Sequence, residues 1–339
     1  MRKKYLFLSF LIVCFILGAV SVAKPLNAEA SAAAEIAMEL STETVLRDGN
    51  ADARLPMAST TKIMTALIIV EDCNLDEVIT VPDKAVGVEG SSIYLKKGEQ
   101  IDIRDLLYGL MLRSGNDSAT ALAIHHSGSV EKFVEVMNNR AKKIGVESTN
   151  FANPSGLPDD SHYTTARDLC KIACYAMRNE TFRQVVSTKT HKGNFRTYAN
   201  KNKMLYTYEG ANGVKTGYTL KAGRCLVSSA ERNGMDVVTV VLNCPDMYER
   251  SKAIFDYAFE NFKLLNLSAD SVFSSNGILC KLSKPYKLVV KNGENFDYKV
   301  VPLIDGNGTK KGDLVARLEI YDANGLIFNE NLYSIVDNK

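Results

Sequence analysis

LPMASTTKIMTALIIVE, residues 55–71, opens with the polar cluster Ser59-Thr60-Thr61-Lys62 and continues as a run that belongs in a core. The run is expected to be a buried helix opening near Ser59. In such a helix Lys62 lies one turn from Ser59 on the same face. Either Lys62 snorkels to water along its aliphatic stem, or it is held beside Ser59 for a chemical purpose. A serine needs a base to become a nucleophile, and a lysine serves only when neutral near pH 7. Burial among Ile63, Met64 and Leu67, the positive end of the helix dipole and any second nearby cation would each push Lys62 that way. The same helix end offers backbone N–H groups to an oxyanion.

Ser-x-x-Lys alone is a weak signal, because Ser129-Val130-Glu131-Lys132 repeats it on an ordinary amphipathic pattern. Two further motifs give the first one weight. LRSGNDSA supplies Ser114-Gly115-Asn116 at a break between helical segments, and GVKTGYT supplies Lys215-Thr216-Gly217 on a strand-like run. Ser-x-Asn recurs at Ser274-Ser275-Asn276, which reads as a turn, whereas Lys-Thr-Gly occurs once.

Around these motifs the chain reads as α+β. Residues 33–46 alternate well enough for one early strand, with RDGNAD (47–52) as its turn. Residues 99–128 read as helix, break, helix, and 129–146 and 166–179 as further helices, with NPSGLPDDSHYTT (153–165) a loop. From about residue 194 the pattern turns toward antiparallel strands, 213–219, 223–232 and 235–244. The last two are joined by Asn233-Gly234, a strong hairpin turn. A helix over 248–262 closes this unit. Beyond it only short strand-like runs follow, expected to form a small all-β domain. The expected boundaries are 1–30, 31–263 and 264–339.

Arg2, Lys3 and Lys4 precede the apolar run Tyr5 to Ala23, and small residues cluster around Ala28 and Ala30. This is the layout of a secretory signal; the other reading is a retained membrane anchor. Either places the remainder outside the cytoplasm. Cleavage after Ala30 would take four of the 41 basic residues and one of the 39 acidic ones. The near-neutral remainder gives no broad basic surface for nucleic acid. Cys73, Cys170, Cys174, Cys225, Cys244 and Cys280 show no CxxC pattern and no metal-like spacing, so they read as small buried hydrophobes, with one disulfide left open. His125 and His126 are adjacent, and His162 and His191 isolated. No metal and no cofactor is expected.

The three motifs in this order, together with EGSSIYLKKGE (89–99), the 153–169 loop and the final KKGDLVARLEIY (310–321), resemble the low-molecular-mass penicillin-binding proteins. These are serine-type D-Ala-D-Ala carboxypeptidases of bacterial cell walls. The resemblance runs from about residue 32 to 336. It implies a penicillin-binding-protein/β-lactamase-like transpeptidase fold, an antiparallel sheet covered by helices with an all-helical subdomain, followed by the small β domain. It implies peptidoglycan stem peptides ending in D-Ala-D-Ala as substrate and β-lactams as covalent inhibitors. It also implies a location in the cell wall or at the outer face of the membrane. Residue by residue, it makes Ser59 the acyl-ester nucleophile and Lys62 its base. Ser114 and Lys215 become a proton relay, with Lys215 the second cation, and Asn116 holds the substrate amide. Thr216 and Gly217 lie on a strand pairing with substrate, where Gly217 gives clearance. The N–H groups of Ser59 and Tyr218 form the oxyanion hole.

Some positions depart from that pattern. Relatives often carry histidine where Ser155 stands. They often use an arginine beyond the Lys-Thr-Gly strand for the terminal carboxylate. Arg250 is nearest to that role, displaced by a few positions, with Met247 in the matching place and Arg224 read as a strand surface residue. Many relatives end in an amphipathic membrane helix, whereas this chain ends YSIVDNK, so it is expected to be released or held by its N-terminus. Two rival functions share the fold. A β-lactamase would need a deacylating glutamate, for which Glu147 is the candidate, and a catalytically silent wall-binding protein would need none of these groups.

Overall fold

The computed structural model describes residues 32–194, 196–305 and 308–337. The expected leader, residues 1–30, lies outside the described residues. The residues read as one early strand form two. β1 (Ala34–Glu39) turns through Leu40–Thr44 into β2 (Val45–Gly49), so Arg47, Asp48 and Gly49 belong to a strand rather than to the expected turn. A 3-10 turn over Ala58–Thr61 then leads into α1 (Lys62–Asp72). Next come β3 (Val78–Thr80), β4 (Gln100–Asp102), α2 (Ile103–Leu112), α3 (Asn116–Ser127) and α4 (Val130–Ile144). After a long loop follow α5 (Ala166–Met177), α6 (Glu180–Ser187), β5 (Thr190–Lys192), β6 (Thr197–Ala199) and α7 (Met204–Thr207). The unit closes with β7 (Ala211–Thr219), β8 (Gly223–Arg232), β9 (Met235–Leu242) and α8 (Met247–Asn261).

The main sheet runs β2-β1-β9-β8-β7 and is antiparallel throughout, with β7 at its edge. Side chains alternate across a strand, and here both sets are buried. Val238, Val240 and Leu242 face the large core that holds α1 to α6, while Val237 and Val241 face a second core under α8. Both faces of the sheet are therefore covered. α1 is the central helix of the large core, with every residue from Lys62 to Ile69 buried. Such a helix is fixed by packing on all sides, which suits a segment that has to hold a reactive group still.

Helix starts follow local chemistry. Asp102, Ser129, Thr165 and Asn179 each accept a hydrogen bond from a first-turn N–H of α2, α4, α5 and α6. The second Ser-x-x-Lys is explained this way: Ser129 Oγ caps α4 by accepting from the Lys132 backbone N–H at 3.2 Å, and Lys132 points to solvent.

β10 (Phe262–Leu267) begins directly on the end of α8. It is followed by β11 (Val272–Ser275), β12 (Ile278–Leu282), β13 (Tyr286–Lys291), β14 (Asp297–Pro302), β15 (Leu314–Asp322) and β16 (Gly325–Ser334). These form a β10-β13 ribbon and a β11-β12-β16-β15-β14 sheet around a third core of Ile278, Cys280, Leu282, Val315, Leu318 and Leu332. Of the Ser274-Ser275-Asn276 repeat, read as a turn, only Asn276, at φ 48°, turns β11 into β12; Ser274 and Ser275 are the last residues of β11. The ribbon spans two cores: Phe262, Leu264 and Val289 pack under α8, while Leu267, Tyr286 and Leu288 pack on the third core. Among the described residues all six cysteines are free, and no helix is long and apolar enough to cross a membrane.

Ser129→Ala should lower unfolding free energy by about 1 kcal/mol, the usual worth of an N-cap. Lys132→Ala should leave the fold and any activity at Ser59 within experimental error. Denaturant melts and initial rates on the two variants check both outcomes.

Candidate active site

Ser59 sits in the 3-10 turn rather than in the helix proper, just ahead of α1. The preceding Ala58 has φ 47°, the left-handed region that a residue with a Cβ normally avoids. The strained turn is held by its own threonines. Thr60 Oγ1 donates to Met57 O at 2.6 Å and Thr61 Oγ1 to Ala58 O at 2.8 Å. Thr61 also meets His162 Nε2 at 2.7 Å, and His162 Nδ1 accepts the Ala152 N–H. These partners assign the tautomer: Nδ1 accepts, so Nε2 carries the proton. Burial pushes the His162 imidazole down to about 4, so it stays neutral.

Lys62 is fully buried, yet its amine is surrounded by oxygen. Nζ lies 3.0 Å from Ser59 Oγ, 2.7 Å from Asn116 Oδ1 and 2.5 Å from the Ser155 carbonyl. An ammonium donates to all three. A neutral amine donates to Asn116 and Ser155 and takes the Ser59 proton on its lone pair. The cage therefore accommodates both states without rearrangement. Desolvation lowers the Lys62 amine well below its ordinary value, helped by the charges of Lys215 and Lys201 and opposed by Asp117.

Each wall of this cage has its own support. Asn116, buried at the start of α3, also donates from Nδ2 to the Glu89 carbonyl at 2.6 Å, so its amide is locked. Asp117 is buried behind it and accepts from Ser92 Oγ and the N–H groups of Ile93 and Leu95. That pins the 91–95 loop to α3. On the opposite side, Asn153 Oδ1 gathers the N–H groups of Ser155, Gly156 and Leu157. Thr65 Oγ1 donates to the Pro154 carbonyl. Gly156 has φ 86°, and a Cβ there would fall 1.9 Å from the Ala58 carbonyl, so no other residue fits. Ser155 thus contributes through its backbone carbonyl, which explains why a serine serves at this position.

Lys215, on the edge strand β7, is buried and donates to its own Thr216 carbonyl at 2.9 Å. Desolvation, with the Lys201 charge second, brings its amine down to about 7. Ser114, at φ 65°, opens into the same cleft as Ser59 and has no hydrogen-bond partner among the described residues. Thr216, Gly217 and Tyr218 line that cleft beside Ser91, Lys201, Arg224, Met247 and Tyr248, around a cavity of about 390 Å³. The exposed edge of β7 leaves backbone groups for an extended ligand.

This arrangement of an activated serine, a buried lysine and a free strand edge has counterparts in known proteins. The D-alanyl-D-alanine carboxypeptidase (peptidase S11) family model matches residues 19–246. The chain belongs to the S11 family of D-alanyl-D-alanine carboxypeptidases. It is 32% identical to carboxypeptidase DacF of Bacillus subtilis over 286 residues, 77% of this chain and 73% of that one. A D-alanyl-D-alanine carboxypeptidase of a Streptomyces strain is 39% identical over 266 residues, 71% of this chain and 90% of that one. Penicillin binding protein 5 from Haemophilus influenzae superposes with a TM-score of 0.79 at 26% identity, covering 92% of this chain and 99% of that one. The S11 chain is thus a serine carboxypeptidase with the α+β penicillin-binding-protein fold.

Two sequence expectations for this carboxypeptidase need correction. Arg250 is not a cleft residue: it is buried, and its guanidinium forks onto Glu35 of β1, Nε to Oε2 at 2.6 Å and Nη2 to Oε1 at 2.7 Å. Arg224, read as a strand surface residue, does line the cleft. Gly217 also lies close against the nucleophile turn, since a Cβ there would sit 3.1 Å from both Met57 O and Ser59 N. Sequence reasoning missed Ser91, Asn153 and His162, which carry no motif and act through placement, and it missed the bearing of the Lys201 charge on the two buried lysines. Residues 200–213, NKNKMLYTYEGANG, are Tyr-rich and read from sequence as a rim of the cleft; Lys201 of this stretch does reach it, whereas Tyr208 packs on Phe255 of α8.

Two outcomes test the electrostatics. Lys201→Gln removes a charge that disfavours protonation of Lys62 and Lys215, so both amines should rise and the acid limb of kcat/KM should move up by about 0.5 on the pH scale. For Lys215 the folded value, about 7, lies below the ordinary 10.5. Between those values the unfolded chain binds more protons than the native one. The stability penalty is therefore full below pH 7 and fades by 10.5. Lys215→Met should accordingly melt several degrees higher at pH 7, lose that advantage by pH 10.5, and be inactive; calorimetry across that range checks it.

Proposed function

We propose that this carboxypeptidase removes the terminal D-alanine from peptidoglycan stem pentapeptides through a Ser59 acyl-enzyme. The observation that carries the reading is the Lys62 cage, because it sets an amine 3.0 Å from Ser59 Oγ in a place where burial drives it toward its neutral form. Ser59 Oγ attacks the penultimate D-Ala carbonyl while its proton passes to Lys62 Nζ along the existing contact. The oxyanion so formed takes hydrogen bonds from the backbone N–H groups of Ser59 and Tyr218. Collapse breaks the amide C–N bond, and the proton held by Lys62 is relayed through Ser114, beside Lys215, to the departing D-Ala nitrogen, which returns Lys62 to its neutral form. Water then attacks the ester and gives a proton to Lys62, which passes it to the departing Ser59 oxygen as the ester C–O bond breaks and the shortened stem peptide leaves with a new terminal carboxyl group.

In this reading Asn116 has two tasks, orienting Lys62 through Oδ1 and offering its remaining Nδ2 hydrogen to a substrate carbonyl. Thr216 and Gly217 present the β7 edge to the extended peptide. A β-lactam follows the same path to the acyl stage and stalls there. The substrate lies outside the cytoplasmic membrane, so we place the enzyme in the cell wall or at the outer membrane face, delivered or tethered by its N-terminal segment.

The cleft argues against a β-lactamase. No carboxylate is among its lining residues, and Glu147 is exposed in a separate groove with Asn138 and Lys142 at the end of α4. Incubation with a muropeptide ending in D-Ala-D-Ala should release free D-Ala, and Ser59→Ala should abolish both release and covalent penicillin labelling. Penicillin should stay bound for minutes or longer. Sub-second turnover of penicillin, or D-Ala release by Ser59→Ala, would contradict the assignment.

A further inference from the structure

A carboxypeptidase acts on the last residue of a chain, so its cleft has to hold a free carboxylate beyond the scissile bond. Resting on the function proposed above, we infer that Arg224 is the residue that recognises this terminal carboxylate, acting from β8 together with the Thr216 hydroxyl. The candidates reduce quickly. Lys62 and Lys215 are buried, with their amines on Ser59 Oγ and the Thr216 carbonyl, and neither is among the residues lining the cleft. Arg250 is spent on the buried Glu35 pair and does not line the cleft. That leaves Lys201 and Arg224 as the cations on the cleft wall.

Their positions separate their roles. The Lys201 backbone N–H bonds the Leu112 carbonyl, two residues before Ser114, and its charge bears on both buried lysines. It belongs to the proton-transfer side. Arg224 stands directly opposite Tyr218 in the β7–β8 register. Opposed residues of an antiparallel pair, and residues two apart on one strand, share a face. Arg224 is therefore on the face of Thr216 and Tyr218, past the Lys215-Thr216-Gly217 step and beside Met247 and Tyr248. Its guanidinium is exposed and has no hydrogen bond or ion pair among the described residues. Every other arginine of the cleft's surroundings is committed: Arg196 to Glu99, Arg250 to Glu35, and Arg113 to the Ala199 carbonyl.

A free guanidinium presents a planar fork that matches a carboxylate bidentately. Met247, at the first position of α8, sets an apolar wall next to that fork. Such a wall offers apolar contact to a D-alanine methyl. Recognition here is assigned to a strand residue facing the helix, and the arginine within α8 is left to tie that helix to β1.

The test compares an N-acylated Lys-D-Ala-D-Ala tripeptide with its C-terminal amide, using the whole secreted chain. Wild type should prefer the acid. Arg224→Gln should lose about tenfold or more in kcat/KM on the acid, mainly through KM, and stay within about twofold on the amide, the loss expected for a charge-assisted hydrogen bond. Arg224→Lys should recover part of the preference, since charge remains without the fork. Lys201→Gln should keep the wild-type acid-to-amide ratio. An unchanged ratio in Arg224→Gln, or a collapse in Lys201→Gln instead, overturns the assignment of Arg224. Absence of D-Ala release from the acid by wild type would overturn the underlying function instead.

Discussion

A lysine amine taken wholly out of water is costly to hold, and most of the catalytic half of this molecule is organised around doing so. Lys62 stands at the first position of α1, and its three oxygen partners come from Ser59, Asn116 and Ser155. Those partners lie on three separate segments: the nucleophile turn, the start of α3 and the loop before α5. The stretch Lys62–Ile69 of the central helix can be buried on every side because its charged first residue is satisfied by this cage, while the acidic far end, Glu71-Asp72, reaches the surface and pairs with Arg140. In turn, the cage can be closed only if the large core brings the three segments together. Fold and chemistry are thus the same constraint seen at two scales.

Local strain gathers where the constraint is tightest. Ala58 and Ser114 both hold positive φ, and each flanks or forms a cleft residue. Such conformations cost of order 1–3 kcal/mol each and persist because neighbours leave no alternative. The Gly156 backbone lies against Ala58, and Gly217 approaches the same turn from the β7 side. Two glycines at opposite flanks let the nucleophile turn be clamped without side chains in the way. Buried lysines and strained turns weaken a fold while serving activity, the ordinary trade between stability and function.

Much of this was legible before the structure. The order of Ser59-x-x-Lys62, Ser114-x-Asn116 and Lys215-Thr216-Gly217 identified the groups that meet at the cleft, and hydrophobic periodicity located the central helix and the strands around Asn233-Gly234. What escaped were residues whose role depends on placement. Asn153 works by collecting three backbone N–H groups, His162 by bracing a threonine, and Lys201 by the reach of its charge. None of these carries a spacing that sequence can flag. Arg250 misled because position along α8 says nothing about which face it takes; Glu35, 215 residues away, decides that. Arg224 was misread for the opposite reason, since an exposed strand residue looks alike on open surface and on a cleft wall. The early strand was misread because two short strands of one hairpin keep a continuous alternation.

The claim on which the rest stands is that Lys62 is neutral beside Ser59 at working pH. Titration of the lysine Cε signals by 13C NMR, with Lys62 assigned by comparison with Lys62→Met and Lys215→Met, measures this directly. The account predicts a midpoint for Lys62 well below the ordinary lysine value, with the neutral amine predominating at pH 8. A Lys62 that titrates near 10.5 would contradict it.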